Sequence, residues 1–266
     1  MKTAIHPFLA VIIAGTTMTH ATIVSHWKFD ESSGTTAADN VGAFGGTLSG
    51  GAVFVSGGIS GNAVSLATIS NSLVNMGTSF PGFTSGDFSL SMWVNTTTTA
   101  NDSLIVSKHE SGFQNGYFTV VNQTGGGGLA GKATFTVGSE PVSQSPTSTT
   151  SVNDGLWHQI VGVFVAGGGH FIYVDGSPSE AGTVSQSVPA NSAPFLIGGV
   201  NVSSVPTARY TGLVDDVQVY NNALSSSDVQ YLYDHPGQAV PEPASALLLL
   251  GGAAMFFSAR TRRPMA

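Results

Sequence analysis

The property that most narrows the fold of this chain is alternation. In Asp87–Asn95, DFSLSMWVN, the residues Phe88, Leu90, Met92 and Val94 fall on one face of an extended chain, and Ser89, Ser91 and Trp93 fall on the other. Successive side chains of a strand point to opposite faces, so a period of two marks a strand with one face in a core. YFTVV, ATFTV and LVDDVQVY repeat the pattern. Gly, Ser, Thr and Asn break it at roughly 8–12-residue intervals, the spacing of turns in an all-β domain. HQIVGVFV and HFIYVDG, separated by Ala166–Gly169, read as a hairpin, and Asp175-Gly176 as a second turn. No helical pattern alternates with the strands, which argues against a parallel βαβ sheet. The expectation is an all-β, two-sheet antiparallel sandwich of about a dozen strands. One short helix is expected at 226–233, where LSSSDVQYLYDH has a serine cap, Asp228 in the first turn and Val229, Leu232 and Tyr233 at core-facing spacing. The polar stretch Pro141–Gly155 reads as a long surface loop.

Composition removes several kinds of chemistry. There are no cysteines, so disulfides, thiolate metal sites and cysteine nucleophiles are excluded. Charged residues are 9% of the 266 residues, against about 25% in an ordinary globular protein. Hydroxyl and amide groups take over the solvation of the surface. Between Thr22 and Pro243 the basic residues are Lys28, Lys108, Lys132 and Arg209. Four basic against fifteen acidic residues leave that stretch at −11. Nucleic-acid binding needs clustered Lys and Arg against phosphates, and the body has no such cluster.

The two ends carry addresses. Lys2, the apolar run Phe8–Gly15 and Thr19-His20-Ala21 have the order of a secretory signal peptide cut after Ala21; the other reading is a buried N-terminal strand. Ala244–Ala259 is uncharged for sixteen residues and would span about 24 Å as a helix. That is short of a hydrocarbon core of about 30 Å, a gap that bilayer thinning and snorkelling arginines could close. Arg260, Arg262 and Arg263 then form a cytoplasmic stop. Pro241, Glu242 and Pro243 directly precede the span. Triplet, apolar span and arginine cluster together resemble a PEP-CTERM sorting signal, and the other reading is a plain membrane anchor. The resemblance implies export, contact with the membrane through the C-terminus, and an exosortase-type membrane processing enzyme as partner. It also implies a setting at the cell surface or in the matrix of a bacterium that makes exopolysaccharide or biofilm. The expected layout is a signal peptide at 1–21, a body at 22–235, a linker at 236–243, a hydrophobic transmembrane segment at 244–259 and a basic tail at 260–266.

Five segments of the body, in order, resemble the LamG-like jelly-roll family of the concanavalin A-like lectin/glucanase superfamily: HWKFDESSGTTAADNVG, FVSGGISGNAVSL, FSLSMWVN, NDGLWHQIVGVF with IYVDG, and YTGLVDDVQVYNNALSSSDVQYLYD. The resemblance implies a jelly-roll sandwich over about 22–234. It also implies a structural calcium site at Asp30, Asp39 and one of Asp215 or Asp216. Alternation favours Asp215, which would share a face with Leu213, Val217 and Val219 and point at an apolar layer, with Asp216 and Gln218 opposite. A carboxylate there needs a cation or hydrogen-bond donors, so calcium and donation by backbone N–H groups are the two readings.

Catalysis finds less support. Glycoside hydrolysis uses two flanking carboxyl groups, and hydrolases of the superfamily carry them as Glu-x-Asp-x-x-Glu. None of Glu31, Glu110, Glu140, Glu180 and Glu242 begins such a pattern. No Gly-x-Ser-x-Gly elbow occurs, and Gly125–Gly128 lacks the features of a phosphate cradle. His158 reads as a hydrogen-bonded strand residue, His109-Glu110 as a polar loop, and Trp27, Trp93 and Trp157 as core or near-core residues. The expectation is an exported non-enzymatic protein that binds carbohydrate or another surface component. A structural or adhesion module without a small ligand, and a glycan-active enzyme, are the alternatives. A concave polar groove or an exposed aromatic cluster would favour sugar binding.

Overall fold

The computed structural model describes residues 22–110, 115–124, 129–138, 144–182 and 188–241. The expected signal segment, the Gly125–Gly128 run, and the tail with Glu242, Pro243, the apolar span, Arg260, Arg262 and Arg263 lie outside the described residues. Among the described residues no helix is long and apolar enough to cross a membrane.

The strands run β1 (Ile23–Trp27), β2 (Thr36–Ala37), β3 (Gly46–Ser49), β4 (Val53–Ser56), β5 (Asn62–Leu66) and β6 (Leu73–Asn75). They continue as β7 (Phe88–Asn95), β8 (Ser103–Lys108), β9 (Tyr117–Val121), β10 (Lys132–Val137), β11 (Thr147–Ser151) and β12 (Trp157–Val165). The last are β13 (Gly169–Val174), β14 (Ser177–Gly182), β15 (Leu196–Ile197), β16 (Gly199–Val202), β17 (Val205–Ala208) and β18 (Gly212–Tyr220). Sheet A has the order β14-β13-β12-β7-β18-β5-β4, with β1 also on β18, and sheet B the order β11-β10-β9-β8-β15-β6-β3-β2. β16 and β17 form a separate ribbon.

The chain is thus an all-β antiparallel jelly-roll sandwich, as its alternation implied. It has more strands than the dozen expected, because segments such as Thr36–Ala37 and Leu196–Ile197 are too short to show a period. The expected loop at 141–155 also needs correcting. Thr147–Ser151 is strand β11, paired with β10, and its Thr and Ser side chains hide a strand behind a polar sequence. The hairpin around Ala166–Gly169 is present, with Val165 opposite Gly169.

The core lies between the sheets. Leu90, Met92 and Val94 of β7 meet Val214, Val217 and Val219 of β18 and the inward side chains of β9 and β10. Full burial of each such side chain contributes about 1.5–3 kcal/mol. Trp27 is fully buried, stacked on Phe195 at 5.5 Å, and its indole N–H donates to the Phe44 carbonyl. At Gly162 the Phe135 ring of the other sheet packs against the backbone: a Cβ there would stand 2.6 Å from it.

The short helix is α1 (Ser226–Asp234). The Ser225 side chain accepts from the Asp228 amide, and Asp228 accepts in return from the Ser225 amide. This reciprocal cap satisfies two otherwise orphaned donors. Val229 and Leu232 pack with Val161, Val163 and Tyr220, so the helix covers the outer face of sheet A. Beyond it, the described part of the expected linker lies on the body, as set out below.

Candidate functional site

Among the described residues, no α-helix lies over the outer face of sheet B. Tyr117, Val121, Ala133 and Phe135 turn into the core, which leaves Leu104, Phe118, Val120 and Thr134 on the far side. The β16–β17 ribbon lies across that side. Val200 and Val202 pack on Leu104, Phe118 and Val120. Two αL residues, Ser203 and Ser204, make the hairpin turn at its tip, the geometry that two-residue hairpin loops use. Ser107 donates its hydroxyl to the Gly199 carbonyl, and Asn71 accepts the Ala208 amide. Glu110 holds the tip, bonded by the Asn201 side chain and by the Ser204 amide at 3.0 Å.

The ribbon divides the face. On the β8–β9 side is a depression of about 330 Å³, floored by Leu104, Phe118, Val120 and Val200 and rimmed by Asn101, Asp102, His109, Gln123 and Arg209. A smaller hollow of about 130 Å³ shares Asn101 and Gln123 with it. On the β3–β6 side Pro206 borders a second depression of about 460 Å³. Gln123 is 5% exposed and its Oε1 has no hydrogen-bond partner. A buried acceptor left unpaired costs about 1–3 kcal/mol, so the position carries a cost that a donor entering the depression would relieve. Asp102 accepts from the amide and hydroxyl of Thr124, at 3.0 and 2.9 Å, which fixes the rim. Burial pushes His109 below its ordinary value, against the opposing pull of the Asn115 carbonyl and Glu110. The His109 ring lies 4.9 Å from the Phe118 ring. An apolar floor with amide, carboxylate and guanidinium groups at its rim suits a small polyhydroxylated ligand.

The carboxylates expected as metal ligands are held by N–H donors. Asp39 accepts from the amides of His26, Val41, Gly42 and Phe44 at 3.0–3.1 Å. Burial alone would raise its pKa, and the amides of His26, Gly42 and Val41 outweigh that and lower it. Asp30 accepts the Asn62 amide at 3.0 Å. Asp215 accepts the Ser60 amide at 3.1 Å and the Asp216 amide at 2.7 Å. Burial pushes Asp215 up to about 7, the Ser60 amide opposing and the Asp216 charge adding. Among the described residues no three His, Asp or Glu side chains form a group that could hold a metal. Asp39, with four amide donors, has its acceptor sites taken, whereas Asp30 and Asp215 accept one and two backbone amides.

The alternation argument for Asp215 needs correcting. Val214, Val217 and Val219 belong to the core, and a β-bulge falls between Asp215 and Gln218. One extra residue reverses the parity of the strand, so Asp215 does not share a face with Val217, and both aspartates stand off the core. Asp216 adopts φ +48. Its Oδ1 meets His26 Nε2 at 2.5 Å and Gln218 Nε2 at 2.9 Å, and its Oδ2 accepts the Gly237 amide at 2.7 Å.

His158 bridges Asp175 at 2.8 Å and Asp154 at 3.1 Å, a turn-stabilising role. Lys108 is buried, with Nζ on the carbonyls of Thr78 and Ala193. Trp93 is buried against Tyr233, and Trp157 is half-buried. The rim residues Asn101, Gln123 and Arg209 were not singled out by the sequence. Each is an isolated polar residue near a strand end; the pairing of β8 with β9 brings Asn101 to Gln123, and the unpredicted ribbon brings Arg209 to them.

Comparison with known proteins adds two family matches. The model of the concanavalin A-like lectin/glucanases superfamily matches residues 61–230, and that of the PEP-CTERM protein-sorting motif matches residues 239–263. Among solved structures, domain 4 of AbnA, a GH43 extracellular arabinanase from Geobacillus stearothermophilus in complex with arabinotriose, is 22% identical with TM-score 0.61, over 80% of this chain and 98% of that one. The binding domain of Paraclostridial Mosquitocidal Protein 1 is 15% identical with TM-score 0.60, over 79% and 51%. Trypanosoma rangeli sialidase is 15% identical with TM-score 0.56, over 79% and 32%. At these identities the likeness is one of fold. No curated protein matches the chain.

Proposed function

The chain belongs to the concanavalin A-like lectin/glucanases superfamily and carries a PEP-CTERM sorting motif, and from that premise we propose that it is a non-catalytic, carbohydrate-binding protein of the cell surface or matrix. The sorting motif supports export, a C-terminal membrane-anchoring signal and processing by an exosortase-type enzyme. The proposed site is the depression on the β8–β9 side of the ribbon, and its proposed ligand is an extracellular polysaccharide.

The observation that carries this reading is Gln123, buried and unpaired at the wall of a polar hollow with an apolar floor. Sugar hydroxyls both donate and accept, so one ring can satisfy Gln123 while its C–H face lies on Phe118. The arabinanase domain, solved with arabinotriose, lends support at the level of fold. Hydrolysis needs two carboxyl groups, whereas Asp102 is the one carboxyl among the lining residues described. No cation enters this reading.

The test is a glycan array and polysaccharide pull-down with the purified exported protein. Binding that is lost in Gln123→Ala and Phe118→Ala supports the site. Failure to bind any extracellular polysaccharide, or binding unchanged in both variants, overturns it.

A further inference from the structure

The segment that leads to the sorting triplet is fastened to the body. After α1 the chain turns at Gly237, φ +79, and runs along the outer face of sheet A. The Gly237 amide donates to Asp216 Oδ2 at 2.7 Å. The Gln238 carbonyl accepts from Gln218 Nε2 at 3.0 Å, and the Gln238 side chain accepts from the Tyr231 hydroxyl at 3.3 Å. The Val240 amide donates to the Tyr220 hydroxyl at 3.2 Å, and the Val240 side chain packs on the cluster beneath α1. The acceptors are themselves braced: Asp216 by His26 at 2.5 Å, and Tyr220 by its own bond to Gln218 Oε1 at 2.5 Å. Pro241, the first residue of the triplet, follows directly and is exposed.

This arrangement leaves no free spacer between body and triplet. A protease that takes its substrate as an extended strand uses the main-chain N–H and C=O groups on either side of the recognition residues. Here the amides of Gly237 and Val240 and the carbonyl of Gln238 are already engaged. Five residues, 236–240, would supply about 17 Å of extended chain if released, at roughly 3.3–3.6 Å per residue. We propose that Gly237–Val240 is a latch, and that the processing enzyme takes the protein only after the latch has opened. The inference rests on the exosortase-type processing of the sorting motif.

The experiment uses the full chain in its host and purified. Tyr220→Phe removes a latch hydroxyl while keeping the ring in its cluster. Gly237→Ala strains the latch at its turn, because φ +79 disfavours a side chain and the Cβ would stand 2.5 Å from Ser60 Oγ. Each variant is expected to expose the strap to thermolysin and to speed tail removal in a pulse-chase about fivefold, the scale of one lost hydrogen bond. A six-residue Gly/Ser insertion between Val240 and Pro241 is expected to speed removal as much, and to make it indifferent to Tyr220→Phe. The inference is overturned if thermolysin cleaves the variant straps faster while tail removal keeps its wild-type rate, or if thermolysin finds the strap equally open in wild type and variants. Glu242→Ala with Pro241→Ala separates the two claims: unchanged processing there overturns the sorting reading itself.

Discussion

The outer faces of the two sheets have opposite fates. On sheet A, α1 with the Gly237–Val240 strap seals the outer side, over an apolar cluster that includes Val161, Val163 and Tyr220 and over the polar side chains of Asp216 and Gln218. Sheet B is apolar toward the core only; its outer side keeps a small apolar cluster under the ribbon, with polar rims around it. Burying apolar area is the main favourable term in folding, so the covered face holds the molecule together. The half-covered face is free to carry unpaired groups such as Gln123. Stability and recognition are thereby assigned to opposite sides of the sandwich.

That division can be broken experimentally. The largest effect is expected from Leu232→Ala, which opens a cavity under α1 and should cost about 2–5 kcal/mol. Urea unfolding would read this, with glycan affinity unchanged wherever the protein is folded; equal loss of affinity would show that the two faces are coupled. Next comes the seam between the sheets. His170 is fully buried, its ring 5.9 Å from Phe135, and burial holds its pKa down to about 4. In the unfolded chain it titrates near about 6.5. Between these values the folded state binds fewer protons, so the stability due to His170 is complete above about 6.5 and falls by roughly 3 kcal/mol as pH drops toward 4. Asp215, raised to about 7, slopes the other way over much of this range. The measurement is therefore the difference in pH profile between wild type and His170→Leu, expected to lose that acid-side fall.

The open face should respond in the reverse manner. Gln123→Leu removes an unpaired buried acceptor, so melting temperature should hold or rise, while glycan Kd increases about tenfold, the equivalent of about 1.4 kcal/mol. A variant that loses stability along with affinity would place Gln123 in the framework instead. The smallest effect is expected from calcium. With Asp39 filled by four amides, addition of calcium or EDTA should leave the melting temperature unchanged, and a clear upward shift with calcium would reveal a cation site that the N–H pattern conceals.

How much of this was legible in the sequence depends on how locally each feature is encoded. β7 and β12 are long and alternate, and α1 carries its own cap in Ser225 and Asp228, so their identity shows in a short window. β15 has two residues and owes its existence to strands on either side. β11 is polar on both faces and is recognisable only beside β10. The Asp215–Asp216 bulge reversed the face assignment because a period of two carries no signal for an inserted residue. The depression was hidden for a related reason. Asn101, Phe118 with Gln123, and Arg209 come from three separate segments, and the ribbon that brings Arg209 to the others is anchored by Glu110, far from it in the chain.

Tyr220 also sets how the molecule bears load. Its backbone pairs with Ile23 at the start of β1, while its hydroxyl receives Val240 at the exit of the chain. Both ends of the body therefore leave from one corner. Tension on the C-terminal tail enters the body at that corner, where it meets first the hydrogen bonds of Val240, Gln238 and Gly237, in that order. Those bonds end on Tyr220, Gln218 and Asp216, so the load passes directly into β18 at the centre of sheet A.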